Sequence, residues 1–462
     1  MNPWVSQPAK QTGMTAGSAE HSPPGTANAV RLSEASRFWL QLGWVSFGGP
    51  AGQIALLHRE LVERRRWLSE QRYLHALNYC MLLPGPEATQ LATYLGWLMH
   101  GIPGGLMAGG LFLAPSVVVL TALTSAYVIW GEMPLLSAMF TTLKPVVLAI
   151  VVTAAWRVGR RTLHSPLLTG VAVAAFAGLA VLHLPYPLVV LSAALAGGLV
   201  GRWRPAWLGR RAPGMAATGP NAPALHGDHS PTPDHAQVSS RRLAETLLAW
   251  GLATALPLSV LTAIGGWNGT LSLMARFFSR VALLSFGGAY AVLPYVAQGA
   301  VEQFGWLTAD QMLDGMALGE TTPGPLIMVV AFVGFMGGWS SPLLADVGAW
   351  WAALAAALTT VWFTFVPSFG LILVGAPLVE ASRDDLRLTA PLTAITAAVV
   401  GTIASLAIFL SGPVMFPAGT FNPLTGCILT AALFAQLKLQ WSVLRLIGVA
   451  AAAGLCAGAL AP

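Results

Sequence analysis

About forty residues of this chain occur twice at a constant offset of 239, and both copies interrupt apolar sequence with helix-breaking motifs. Ser46-Phe47-Gly48-Gly49 returns as Ser285-Phe286-Gly287-Gly288. Trp67-Leu68-Ser69 returns as Trp306-Leu307-Thr308, and Pro84-Gly85-Pro86 as Pro323-Gly324-Pro325. No gap separates the first motif from the last, which excludes chance convergence. Hydrophobic segments broken by Gly and Pro at matching places in two halves mark a transporter built from inverted repeats, with its substrate held at the breaks.

The surrounding sequence places those breaks in a bilayer. The chain is 55% hydrophobic and 9% charged, against about 25% charged in a soluble domain. Apolar runs near the ~20 residues that span a bilayer recur throughout. Its 32 Pro and 49 Gly sit among Leu, Val and Ala, which membrane helices tolerate better than soluble ones. The net charge of +6 comes from clusters between apolar segments, a topology signal that argues against nucleic-acid binding. Cys80, Cys427 and Cys456 are far apart and form no CxxC, so neither a disulfide frame nor a metal site is expected, and no cofactor. Residues 1–30 lack the apolar core of a signal peptide and read as a disordered cytoplasmic tail.

The fold class expected is therefore an all-α polytopic membrane protein. It has two inverted-topology repeats of about six helical segments each, joined by one extra inverting helix, with broken or re-entrant helices at the FGG and PGP motifs. The first repeat covers 31–201, a cytoplasmic Arg/His/Pro-rich linker 202–242, the inverting helix 243–266, and the second repeat 267–462. Charge supports the inversion: 58–66 carries four Arg against two Glu, whereas its partner 297–305 keeps only Glu302. Arg157, Arg160, Arg161, the linker, Arg383 and Arg387 fall on the same side. The N-terminus is then cytoplasmic and the C-terminus periplasmic. Full crossing by 36–51 would put Arg64–Arg66 outside, against that rule. A chain that enters, breaks at Phe47-Gly48-Gly49-Pro50 and returns keeps them inside. Its arms of about 16–24 Å reach mid-membrane at ~1.5 Å per residue, and 72–100 does the same around Pro84-Gly85-Pro86. Arg276 and Arg280 fit neither version well.

Freed backbone groups in hydrocarbon survive only beside protein or a wet cavity. Helices starting after such breaks aim free N–H groups and a positive dipole end at the membrane centre, a site suited to an anion. The candidate substrate-binding residues are Gly48, Gly49, Pro50, Asn78, Pro84, Gly85 and Pro86. From the second copy come Gly287, Gly288, Thr321, Thr322, Pro323, Gly324 and Pro325. The plain alternative is a set of kinked packing helices with Gly as contact residues. Glu87, Glu320 and Asp314 are candidates for proton coupling or gating, because an ionised group at this depth costs at least about 2.5–3.5 kcal/mol. Capping is the structural alternative for the glutamates. His58, Arg59, His75 and Lys144 are candidate electrostatic helpers, with headgroup contact or snorkelling as the other reading. The linker group His226, Asp228, His229, Asp234 and His235 reads as solvated chain and not as a metal site.

At these residues the chain resembles the chromate ion transporter family in its long, two-domain form. The stretches that carry the resemblance are 47–54, 58–63, 74–80 and 83–88, then 286–294 and 318–325, within a likeness covering about 35–460. It implies an inner-membrane protein that exports chromate using the membrane potential or a proton gradient, conferring chromate resistance. It also implies sulfate as competitor or alternative substrate. Lipid bilayer and the two oxyanions are the expected partners, with a homodimer as the candidate assembly. A sulfate or other oxyanion importer of the same fold is the alternative. A channel and an intramembrane enzyme are readings of other classes. The enzyme reading would need a nucleophile–base pair, for which Ser46 and Ser285 are the candidate nucleophiles and no base is visible.

Overall fold

In the computed structural model the described residues are 30–131, 133–203, 233–341, 348–381 and 389–460. The N-terminal tail, most of the linker with His226, Asp228 and His229, and Arg383 with Arg387 lie outside them. The described chain is helical throughout, with no strand among those residues. Seven helices are long and apolar enough to cross a membrane, and this is a multi-pass membrane protein.

The first half opens with α1 (Leu32–Val45) and α2 (Gly49–His58), separated at 46–48. A π-helical turn, Arg59–Arg64, follows, then α3 (Glu70–Cys80). The chain returns to its starting level here. Arg65 lies 3.9 Å from Glu34 near the beginning of α1, and Phe38, about one turn further on, meets the Trp67 ring at 4.9 Å. α1 and α2 are thus the two arms of a hairpin whose tip is the FGG motif. α4 (Glu87–Trp130) is continuous in name only, because His100 and Gly101 leave helical geometry (Gly101 φ 68°, ψ −160°). Its two arms, 87–99 and 102–130, fold back on each other with glycines at the seam. A Cβ on Gly105 would come within 3.0 Å of Thr93 O and Trp97 Cβ. Small residues that let backbones approach are the usual device of membrane helix pairs. Then come α5 (Pro134–Thr162), α6 (Pro166–Ala180) and α7 (Tyr186–Trp203).

After the linker, α8 (Ser240–Gly265) lies against two helices of the second half and has no fully buried residue. The second half repeats the first element by element: α9 (Thr270–Leu283), α10 (Ala289–Ala297), a π-helical turn (Gln298–Gln303) and α11 (Ala309–Thr321). Even the π turns keep the 239-residue offset. α12 (Val329–Trp339), α13 (Ala349–Ala381), α14 (Thr389–Met415), α15 (Pro423–Leu437) and α16 (Val443–Leu460) complete it. The same helix start recurs at Ser69 and Thr308. Each side chain caps the helix that follows, accepting from Arg72 N and Gln311 N.

Two features position the site. The halves interlock: α6 and α7 of the first pack on α14 of the second, while α15 and α16 of the second pack on α5 of the first. Thr142 of α5 donates to the Ala450 carbonyl at 2.9 Å in that second contact. The open ends of the two sets of hairpins also lie at opposite ends of α8. At one end His100 Nε2 lies 2.7 Å from Val30 O, and His235 Nε2 2.9 Å from Trp97 O, just before α8 begins. At the other, beyond α8, Arg276 donates to Trp267 O at 2.6 Å, and the Thr270 and Ser341 hydroxyls are 2.8 Å apart. Arg276 also covers the Trp267 ring at 4.0 Å, which accounts for a cation at this level. A 26-residue helix separates the two ends by about 39 Å at ~1.5 Å per residue.

Candidate oxyanion site at the four breaks

The glycines of the four breaks all take positive φ, from 70° at Gly49 to 139° at Gly85. At Gly85 and Gly324 the need for glycine is double. Their φ values of 139° and 104° disfavour any side chain, and a Cβ would run into Ser368 and Gln90 or into Ser116. The helices that begin after the breaks at Gly49, Glu87, Ala289 and Leu326 have no side-chain cap. Their first N–H groups therefore remain available.

The tips of one half touch the tips of the other, reciprocally. Gly85 N–H donates to Ser285 O at 2.8 Å, and Gly324 N–H donates to Ser46 O at 2.7 Å. These are the same two repeat positions with the halves exchanged, the signature of a two-fold relation. The exchange extends outward. Ser368 of α13, in the second half, sits against Gly85 of the first; Ser116 of α4, in the first half, sits against Gly324 of the second. The hydroxyls of Ser46, Ser285, Ser116 and Ser368 are buried and have no hydrogen-bond partner in the protein, and neither has that of Thr89.

The polar residues expected at the breaks divide into several groups. Glu87 begins the first arm of α4 and reaches the other half: its Oε1 would lie 3.9 Å from a Cβ on Gly288. Glu320 accepts a very short hydrogen bond from Tyr290. The Thr321 and Thr322 hydroxyls donate back to Leu318 O (2.7 Å) and Gly319 O (3.0 Å), so their protons are already engaged. Pro50 is in the first turn of α2, and Pro84 O accepts from Gln90 at 2.8 Å. Pro86 and Pro325 each immediately precede the helix that follows their break, and Pro323 starts the second turn. Asn78 is exposed on α3.

The candidate helpers are not gathered at the tips. His58 lies between Glu63 (3.2 Å) and Glu70 (2.6 Å), and Arg59 lies 3.8 Å from Glu60, beside the open end of the first hairpin. Lys144 meets Asp310 at 3.1 Å and the buried Asp314 at 3.9 Å, and Asp314 also accepts from Tyr127 at 2.9 Å. Lys144, Asp310 and Asp314 thus form one ionic cluster between α5 and α11. His75 stands at the repeat position of Asp314, and its Nε2 has no partner. No group of three or more His, Cys, Asp or Glu able to hold a metal exists among the described residues.

Reading the sequence by its 239-residue offset missed Ser116 and Ser368. They belong to a second register: Pro115-Ser116 and Pro367-Ser368 stand 252 apart, thirteen more than the breaks. A groove of about 1300 Å³ lies between α4, α8 and α13, and Trp250, Trp362, Leu358 and Val118 give it an apolar lining. It does not include the breaks.

The sequence profile described as "Chromate transporter" matches residues 33–199 and 272–455. The chromate transport protein of Pseudomonas aeruginosa is 31% identical over 374 residues, covering 81% of this chain and 79% of that one. The chromate transport protein of Cupriavidus metallidurans is 27% identical over 389 residues, 84% of each. YwrA of Bacillus subtilis, an uncharacterized transporter, is 28% identical over 162 residues, 34% of this chain but 89% of its own length. No solved structure matches the chain.

Proposed function

Because this chain belongs to the chromate transporter family, we propose that it exports chromate from the cytoplasm across the inner membrane, using the membrane potential or a proton gradient, and so confers chromate resistance. Transport, not catalysis, is what its relatives' names describe, and Ser46 and Ser285 lack the base that a nucleophile would need. The observation that carries the proposal is the reciprocal meeting of the four tips. It gathers uncapped helix starts and unpartnered hydroxyls. Such donors suit a tetrahedral dianion and hold it weakly enough to release it.

Inverted insertion of the two halves is supported by the position of their open ends at opposite ends of α8. The first end carries Arg59, Arg64, Arg65 and Arg66, and α5 brings Arg157, Arg160 and Arg161 back towards it. The positive-inside rule makes that end cytoplasmic, with the N-terminus inside and the C-terminus outside. The repeats 31–201 and 267–462 are units of sequence and insertion, while their packing is shared. Expelling a dianion from a cell negative inside is favoured by about 2.3 kcal/mol per charge per 100 mV. Glu87, facing the tip of the opposite half, is the proton carrier we favour, with Glu320 beside Tyr290 as the second. Sulfate, equal in shape and charge to chromate, is the expected competitor.

The test is chromate uptake into inverted vesicles containing the protein, with and without a proton ionophore and with excess sulfate. Potential-dependent accumulation blocked by sulfate supports export. Sulfate entry into right-side-out vesicles without chromate accumulation in inverted ones would instead make the protein an importer.

A further inference from the structure

Helical serines and threonines in this protein ordinarily spend their hydroxyl on a carbonyl three or four residues back. On α4, Thr124 donates to Leu120 O at 2.6 Å and Ser125 to Thr121 O at 2.9 Å. On α13, Thr360 donates to Ala357 O at 2.8 Å and Thr364 to Thr360 O at 2.6 Å. Ser116 and Ser368, on the same two helices, do neither, although they are 0% and 1% exposed. A buried hydroxyl without a partner is costly, and a membrane helix could discard it by a change to alanine. Both halves retain it, in the same Pro-Ser context and against the same glycine of the opposite half's turn.

We propose that Ser116 and Ser368 are a matched pair of hydroxyl donors to the transported tetrahedral oxyanion, one delivered to each Pro-Gly-Pro turn by the opposite half. The proposal rests on the transport reading above and names ligands within it. The preceding prolines fit the role. Pro115 and Pro367 lack an N–H and disturb the helix beside each serine. The glycine opposite, having no Cβ, lets each serine lie directly against the backbone of the turn. Ser46 and Ser285, whose carbonyls the turn glycines hold, place a further unpartnered hydroxyl on each side. The site offers O–H and N–H donors in two-fold arrangement, which matches the oxygens of a tetrahedral ion.

The experiment uses full-length protein in vesicles and in detergent, with chromate as the probe. Wild type is compared with Ser116→Ala, Ser368→Ala, the double variant and the control Ser125→Ala, whose hydroxyl is already engaged. Losing a hydrogen bond to a charged ligand should raise the KM for chromate about 10- to 100-fold in each single variant. The thermal midpoint without chromate should stay level or rise, because an unpaired buried hydroxyl is removed. The rise in midpoint that chromate gives the wild type should vanish in the double variant. A wild-type KM in both single variants overturns the proposal. So does a fall in the ligand-free midpoint, since the hydroxyls would then be structural. A wild type that moves no chromate fails the transport reading itself, and the ligand assignment falls with it.

Discussion

Alanine at Gly324 and at Gly49 should cost very different amounts, although both residues sit in breaks and both take positive φ. At Gly49 (φ 70°) a Cβ would meet nothing within 4 Å, leaving only the left-handed backbone penalty of about 1–2 kcal/mol. At Gly324 (φ 104°) the same Cβ would lie 2.5 Å from Ser116 Cβ, and Gly324 N–H holds Ser46 O at 2.7 Å. Overpacking of this kind adds about 1–3 kcal/mol, for a total of roughly 2–5 kcal/mol with the backbone term. The assay is unfolding of the purified variants alongside chromate flux in vesicles. Gly324→Ala should be the less stable by the overpacking difference and should lose flux, because the contact between halves must widen. Adding Ser116→Gly should recover much of the lost stability in a double-mutant comparison, though not the flux. Equal stability of the two alanine variants would refute the reasoning, since it would mean that the tips are not in contact.

In the Lys144 cluster, Asp310→Ala should cost at most about 1 kcal/mol, as its side chain is 56% exposed. Lys144→Ala should cost more than Asp310→Ala, because the buried Asp314 keeps its hydrogen bond from Tyr127 but loses its counter-charge; equal losses on denaturation would contradict the geometry. Glu87→Gln should reduce the ionophore sensitivity of chromate flux while leaving membrane insertion intact, and an unchanged response would remove Glu87 as the proton carrier. Single cysteines at Arg65 and Gln303, in a background without Cys427 and Cys456, should react with an impermeant thiol reagent from opposite sides of the membrane. Labelling from one side would defeat the inverted arrangement.

The sequence announces where this chain breaks but not which break meets which. Gly-Gly and Pro-Gly-Pro inside apolar runs force interruptions whatever the tertiary context, so the tips at 46–48 and 84–86 were readable from residue chemistry alone. The return of α1 and α2 agrees with the expectation, drawn from the positive-inside rule, that Arg64–Arg66 stay on the side where the chain enters. The crossing of Gly85 to Ser285 and of Gly324 to Ser46 depends on how two halves dock, which no local pattern encodes. Lys144 shows the same limit: its partner Asp310 is 166 residues away, and an apolar helix gives no sign of it. Ser116 and Ser368 were hidden for another reason. An extra thirteen residues in the second half shift them out of the register that exposes the motifs, and a Pro-Ser pair in a hydrophobic helix looks like an ordinary kink. Thr321 and Thr322 looked like free donors because sequence does not reveal that a hydroxyl has been taken by its own helix.

α8 has a different kind of importance from the helices around it. It buries no residue fully and packs by one side on α13 and α9, where Trp250 lies against Gly370 and Trp362 donates to Ala253 O at 2.9 Å. On the proposed inverted insertion, it is the odd pass that reverses the orientation in which every later segment enters the bilayer during synthesis. Its removal would, under that proposal, leave the second half with an intact amino-acid sequence but facing the wrong way, unable to offer its turns to the first. On that proposal the reciprocity of the centre depends on a helix outside the four breaks, through the order of biogenesis.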